Sequence, residues 1–185
     1  VTDSAAIGAL AERLPPLDIL VCNAGIVTNT PAEDMTDAEW DKVIAVNLTG
    51  VFRTCRGFGR RMLAAGRGSV INIGSMSGQI VNVPQPQCHY NASKAGVILL
   101  TKSMALELAP HVRVNCVCPG YVLTPMQRAE YTDEMLAKVN EGIPMKRHAE
   151  PAEIGALYAF LASDEAKYIT GADIRIDGGE TAGLY

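Results

Sequence analysis

Ser75, Tyr90 and Lys94 are the residues of this chain whose types and spacing suit chemistry. Tyr90 and Lys94 stand four apart at the front of a helix-forming segment, which puts their side chains on one face, about 6 Å apart at Cβ. Ser75 follows the β-branched run Ser69-Val-Ile-Asn-Ile73, which reads as a strand. A hydroxyl, a phenol and an ammonium brought to one cleft suit proton transfer to or from a carbonyl or alcohol oxygen. A free tyrosine has a pKa of about 10, too high for an efficient base near neutrality, and a nearby cation such as Lys94 favours its anion. Ser75 holds the substrate oxygen while Tyr90 exchanges its proton. None of the three carries a hydride, so a redox version of the reaction requires a nicotinamide cofactor.

The elements that position these groups follow from pattern. Ile7, Leu10, Ala11 and Leu14 recur at helical spacing behind Thr2 as the expected cap, and Pro15-Pro16 stops the helix. Ile19-Leu-Val-Cys22 is an unbroken apolar strand of the kind covered on both faces, and Asn23-Ala-Gly25 turns the chain at its carboxyl end, the ligand side of an open α/β sheet. Thr36-x-x-Glu39 reads as a capping box opening a long helix with Trp40, Val43, Ile44, Val51 and Cys55 on its apolar stripe, ending at Gly66 to Gly68. Asn47 sits in that stripe, where a polar group needs partners; alone it reads as a satisfied core amide.

Gly78 to His89 lacks a period and reads as a loop over the cleft, in which Gln85 and Gln87 meet either substrate hydroxyls or solvent. A helix from about Tyr90 to Ala109 and a strand Val112 to Val117 follow, and Pro119-Gly120 through Thr124-Pro125 leaves the sheet on the ligand side. A short helix near Asp133 to Asn140, a lid or a packed excursion, precedes a helix opened by Pro151 with Ile154, Leu157, Tyr158 and Leu161 buried. The last strand is Ala172 to Ile176, closed by Asp177-Gly-Gly179. Four short strands separated by helix-length crossovers imply a doubly wound parallel sheet, α/β, with helices on both faces.

Composition is consistent with that. A chain of 185 residues fits one domain. With 19% charged residues and a formal net charge of -4 it carries no nucleic-acid footprint, and Arg53, Arg56, Arg60 and Arg61 read as a solvated helix face. No apolar run suits a membrane span and no signal peptide opens the chain, so cytoplasm or an organelle matrix is expected. Five cysteines make no disulfide framework; Cys116 and Cys118 point the same way from a strand, without the companions a metal site needs.

The ordered set Asn23-Ala-Gly25, Asn47 within Val46-Asn-Leu-Thr49, Ser75, Tyr90-x-x-x-Lys94, Pro119-Gly120 with Thr124, and Asp177-Gly-Gly179 resembles the short-chain dehydrogenase/reductase family over nearly the whole chain. The resemblance implies a Rossmann-like, three-layer α/β/α fold and an enzyme using NADP or NAD. It implies Tyr90 as acid/base, Ser75 as orienter with Ser77 as second choice, Lys94 as ribose binder and tuner of the phenol, and Asn47 as holder of a relay water. Asn23, Ala24, Gly25, Tyr90, Lys94, Pro119, Gly120, Val122 and Thr124 are the implied cofactor contacts. Gly74-Ser-Met-Ser-Gly78, Ile80-Val-Asn82 and Pro84-Gln-Pro-Gln87 look like the subgroup acting on sugar alcohols and ketoses, with Ser75, Ser77, Gln85, Gln87, Tyr90 and Tyr121 facing substrate.

Family members begin with a strand and a Gly-rich loop that receives the pyrophosphate, and residues 1 to 185 read as one catalytic domain lacking that first βαβαβ portion. The chain by itself is therefore expected to be inactive or nearly so, with its first strand at a sheet edge. Two other functions compete. The same chemistry on an apolar ketone would use Tyr121, Leu123, Met126 and Met145 as pocket lining, and a nicotinamide-sensing scaffold would bind without turnover. The resemblance also implies a homo-oligomer, tetramer or dimer, with Gly57, Gly59, Ala64 and Ala65 allowing close helix approach.

Overall fold

The computed structural model describes residues 1–183, apart from the side chains of Met126, Ala129 and Glu130. Four strands, β1 (Ile19–Cys22), β2 (Gly68–Ile73), β3 (Val112–Pro119) and β4 (Asp173–Ile176), pair in parallel in the order β1-β2-β3-β4. On one face pack α1 (Ser4–Arg13), α3 (Gly50–Ala65) and α4 (Cys88–Leu108), around Val70, Val97, Val114, Cys55 and Met62. On the other, α7 (Pro151–Ala162) closes a second core over Ile71, Val117, Ile154 and Leu161. The result is a three-layer α/β/α, Rossmann-like arrangement.

Local chemistry accounts for most boundaries and corrects some expectations. Asp3, not Thr2, caps α1: its carboxylate accepts from Ala6 N at 2.9 Å, and a carboxylate at a helix N-terminus also gains from the dipole. Thr36 caps α2 (Asp37–Ile44) by accepting from Glu39 N, but Glu39 does not return the bond; its carboxylate is occupied by Thr28 and Thr30. The long helix is in two parts, because one turn, Ala45–Thr49, is wound in π register between α2 and α3. Gly66, at φ 72°, ends α3 in the left-handed region that favours glycine.

Burial departs from the pattern in three places. In β1, Leu20 and Cys22 are buried while Ile19 and Val21 are 49% and 40% exposed, so one face of this edge strand is covered rather than both. Trp40 is 40% exposed and lies off the buried stripe. Gly57 and Gly59 serve packing within the chain: a Cβ on Gly57 would meet Ile7 of α1 at 3.2 Å, and one on Gly59 would meet Leu108 of α4 at 3.4 Å.

After β3, Thr124 caps the short helix α5 (Pro125–Glu130), and Thr132 caps α6 (Asp133–Gly142). No helix among the described residues is long and apolar enough to cross a membrane.

Candidate active site

Strand β2 delivers Ser75 just beyond its carboxyl end, and the 3-10 turn Met76–Gly78 redirects the chain there. Ser75 Oγ accepts from Ser77 N at 3.1 Å, which fixes the side chain and leaves its proton free to donate. Gly78 lies against the backbone of α4 so closely that a Cβ on it would come 2.7 Å from the carbonyl carbon of Lys94. That contact sets the Ser75 turn against the helix bearing Tyr90 and Lys94. The helix starts two residues earlier than periodicity suggests, at Cys88, so Tyr90 and Lys94 occupy its first two turns.

Lys94 is buried, and its Nζ donates to the carbonyl of Ile73 at 2.8 Å. Nζ also lies 5.5 Å from the centroid of the Tyr90 ring. Burial pushes the ammonium down to about 8. The phenol was expected to be lowered by this cation, but it is pushed up: burial of the ring is the largest influence, and the Ser75 side chain pulls the other way. The effect of burial outweighs the Ser75 hydrogen bond.

Asn47, fully buried in the π turn, clamps the loop after β1. Its Oδ1 accepts from Ile26 N and its Nδ2 donates to Ile26 O, both at 2.8 Å, with a further bond from Nδ2 to Ser93 Oγ at 3.2 Å. Ser93 in turn donates to the carbonyl of Tyr90 at 2.7 Å. The amide thus ties the loop to the first turns of α4, and both its protons are committed to protein partners. Asn47→Leu leaves both polar groups of Ile26 without partners and should cost about 2–4 kcal/mol of stability, measured by urea unfolding.

A second tie escaped the sequence reading. The His89 ring is fully buried, with Nε2 2.7 Å from Thr28 Oγ1, and both Thr28 and Thr30 donate to Glu39. Because Thr28 gives its one proton to the carboxylate, Nε2 carries the imidazole proton and donates to Thr28. The two threonines hold the Glu39 carboxyl below its usual range. No spacing in the sequence links residues 28, 39 and 89; only the fold does.

Two cavities meet at these residues. One, of about 490 Å³, is lined by Asn23, Gly25, Ile73, Lys94, Pro119 and Gly120, with Ser75 and Tyr90 in its wall. The other, of about 360 Å³, shares Ser75, Tyr90 and Gly120 and adds Ser77, Gln85, Gln87, Tyr121, Val122 and Thr124. Gln127 and Tyr131, from the segment after β3, also line it, and nothing in their spacing marked them. Val122 and Thr124, expected beside the cofactor, thus open onto the smaller cavity, while Ala24 borders a separate recess with Cys22 and Val46. Ser77 donates to Asn82 Oδ1 at 2.9 Å, and Gln87 is turned toward Asn91. Of the residues expected to line an apolar pocket, Tyr121 lines the smaller cavity, Leu123 and Met145 border other recesses, and the Met126 side chain lies outside the described residues.

The donor set of the larger cavity fits the nicotinamide and ribose end of a dinucleotide. Lys94 spends one of three protons on Ile73 and has two for ribose hydroxyls, while Ile26, Val27, Ile73 and Pro119 supply apolar wall for a flat ring. A further cavity of about 430 Å³, lined by Leu136, Asn140, His148 and Glu153, shares none of the Ser75, Tyr90 and Lys94 set.

Comparison with known proteins agrees with this geometry. Residues 2–181 match the family model described as enoyl-(acyl carrier protein) reductase. The chain is 47% identical over 188 residues to galactitol 2-dehydrogenase of Rhizobium johnstonii, covering 98% of this chain and 73% of that protein. It superposes with a TM-score of 0.92 on a short-chain type dehydrogenase/reductase from Mycobacterium marinum, at 41% identity over 98% of this chain and 73% of the other. A gluconate 5-dehydrogenase from Burkholderia cenocepacia, solved in complex with NADP and tartrate, gives the same TM-score at 30% identity over 99% of this chain and 73% of the other. The chain belongs to the short-chain dehydrogenase/reductase family, oxidoreductases that use NAD or NADP.

Proposed function

We propose that this protein interconverts a sugar alcohol and the corresponding ketose, with the nicotinamide end of NAD or NADP in the larger cavity and the substrate in the smaller. The observation that carries the reading is that Ser75 and Tyr90 stand in the wall common to both cavities, so an oxygen held there adjoins both ligands. A bound nicotinamide supplies the hydride donor or acceptor that no side chain provides. Tyr90 gives its proton to the ketone oxygen in reduction and takes it back in oxidation. Ser75 donates its free proton to the same oxygen as charge develops on it. Lys94 binds ribose hydroxyls and keeps a positive charge near the phenol, while Asn47 positions the loop and the helix between which the cofactor lies. Asn23, Gly25, Pro119 and Gly120 form the rest of the cofactor wall; Val122 and Thr124 approach it from the substrate side.

The polar lining of the smaller cavity, including Ser77, Gln85, Gln87 and Tyr121, favours a polyhydroxylated ligand, whose hydroxyls need partners once desolvated. The homology to galactitol 2-dehydrogenase points the same way. The test follows the absorbance of reduced nicotinamide in the full-length gene product, with both cofactors and galactitol, D-arabinitol, sorbose and an apolar cyclic ketone. Turnover with the polyols and ketoses supports the reading. Turnover confined to the apolar ketone replaces the substrate class, and cofactor binding without any turnover replaces the enzyme by a sensor.

The assembly proposed is a homo-oligomer, dimer or tetramer, in a reducing compartment such as the cytoplasm where the five thiols stay free. Leu99 and Leu106, seven apart on one face of α4, are 66% and 81% exposed, an apolar stripe that a second copy would cover. Leu106→Glu should lower the sedimenting mass to that of a smaller assembly; an unchanged mass removes this face from the interface.

A further inference from the structure

Two polar groups of the smaller cavity have unused hydrogen-bonding capacity. Gln85 Nε2 donates to Tyr121 Oη at 3.1 Å. Gln85 Oε1 is buried and accepts no hydrogen bond from any described residue. Having accepted from Gln85, Tyr121 retains its own proton to donate. The phenol is held in place by the buried His148, whose ring meets it edge-on with centroids 5.7 Å apart. Gln85 and Tyr121 both line the cavity that Ser75 and Tyr90 also line, so the covered, unpaired acceptor and the positioned donor belong to neighbouring side chains of its wall.

We infer that Gln85 and Tyr121 together bind one substrate hydroxyl, carried on a carbon other than the one that reacts at Tyr90. This rests on the sugar-alcohol reading and adds to it a specificity-determining pair. A hydroxyl donates and accepts through one atom. Its proton goes to Gln85 Oε1 and its lone pair receives the Tyr121 proton, and with the existing Gln85 to Tyr121 bond the three hydrogen bonds close a ring running in one sense. Turning the Gln85 amide over only reverses the sense: Tyr121 then donates to Oε1, Nε2 donates to the ligand oxygen, and the ligand proton returns to Tyr121. A hydroxyl completes either ring. A carbonyl or ether oxygen has no proton to complete either ring, and a methyl group offers neither proton nor lone pair, so buried polar atoms are left unpaired.

The pair therefore discriminates between substrates without taking part in the chemistry. The probes are D-arabinitol, a set of arabinitols each lacking one hydroxyl, and cyclohexanol, which has no second hydroxyl. In the full-length gene product, Gln85→Leu and Tyr121→Phe should each lower the ratio of kcat/KM for arabinitol to that for cyclohexanol by roughly 10- to 100-fold. One deoxyarabinitol should be as poor for the wild type as arabinitol is for Gln85→Leu, and should lose nothing more in that variant, because the same bond has already been removed.

A second arm measures binding without turnover, by calorimetry of arabinitol on the cofactor-saturated Tyr90→Phe protein with and without Gln85→Leu. Weakening by a similar factor supports the inference even if the polyol is bound but not oxidised, a result that would revise the catalytic reading alone. Equal losses on arabinitol and cyclohexanol, or arabinitol kinetics and binding unmoved in both variants, overturn it.

Discussion

Tyr90→Phe lowers kcat by roughly 10²–10⁴-fold, the range expected when a positioned proton donor is removed, and leaves the fold intact. The phenylalanine ring keeps the volume of the tyrosine at a half-buried position, and no backbone group in the described structure depends on the phenolic oxygen for a hydrogen bond. The pH dependence carries the same signature. Burial raises the phenol above its ordinary value, so the base form is scarce near neutrality in the protein by itself. Oxidation of an alcohol starts from the phenolate, so its kcat/KM should climb with pH; reduction of a ketone starts from the phenol and should not need the climb. Turnover and thermal unfolding of one preparation check both parts, and a variant that keeps more than about a tenth of its activity would assign the proton to another group.

Lys94→Met should inactivate the enzyme and yet stabilise the fold at neutral pH. A buried ammonium held at about 8, against 10.5 for an ordinary lysine, lowers stability by about 3 kcal/mol at pH 7. Its folded-state pKa lies below the unfolded one, so between pH 8 and 10.5 the unfolded chain binds more protons and stability rises with pH; the cost is complete below pH 8 and gone above 10.5. Methionine removes that cost and leaves the Ile73 carbonyl without its donor, a loss of about 1 kcal/mol, for a net gain of about 2 kcal/mol at pH 7. Denaturant unfolding at pH 7 and at pH 10 tests this: the advantage of the variant should shrink or reverse at the higher pH. A variant less stable by the same amount at both would show that the ammonium is not strained in the folded state. On the proposed function, the wild type keeps the costly group for ribose binding and for the charge near Tyr90, a trade of stability for activity.

Both variants act on residues that the sequence exposes plainly, and the reason is physical. A strand ending in Gly-Ser and a helix opening on Tyr-x-x-x-Lys are local patterns, and local patterns survive without knowledge of tertiary contacts. The strand limits at β1 and the end of α3 at Gly66 were legible for the same reason. The π turn at Ala45–Thr49 was not, since one residue of altered winding barely disturbs an apolar period, although it places Asn47 opposite Ile26. The exposed side of β1 was hidden because an unbroken apolar run does not say which faces are covered. Gly57 and Gly59 looked available to a partner, but their neighbours are Ile7 and Leu108, on other helices of the same chain.

The loop from Gln79 to Gln87 shows where sequence reasoning stops. Two glutamines two residues apart looked equivalent, yet Gln87 is turned to Asn91 and Gln85 reaches Tyr121, 36 positions away. Proline fixes backbone angles without choosing which side chain turns inward. The Thr28–Glu39–His89 tie was invisible for a related reason, being assembled from a loop, a helix start and the residue before Tyr90, with no pattern in any one of them.

On the proposed function, Tyr90 exchanges the proton while hydride passes between a sugar alcohol and nicotinamide across the junction of the two cavities. The most direct measurement offers the full-length protein D-arabinitol deuterated at its carbinol carbons, with oxidised cofactor, and follows the label by mass spectrometry. Deuterium should appear on the nicotinamide ring with the wild type and be lost with Tyr90→Phe. Cofactor bound by the wild-type protein with no label transferred from arabinitol or any other polyol would contradict the account.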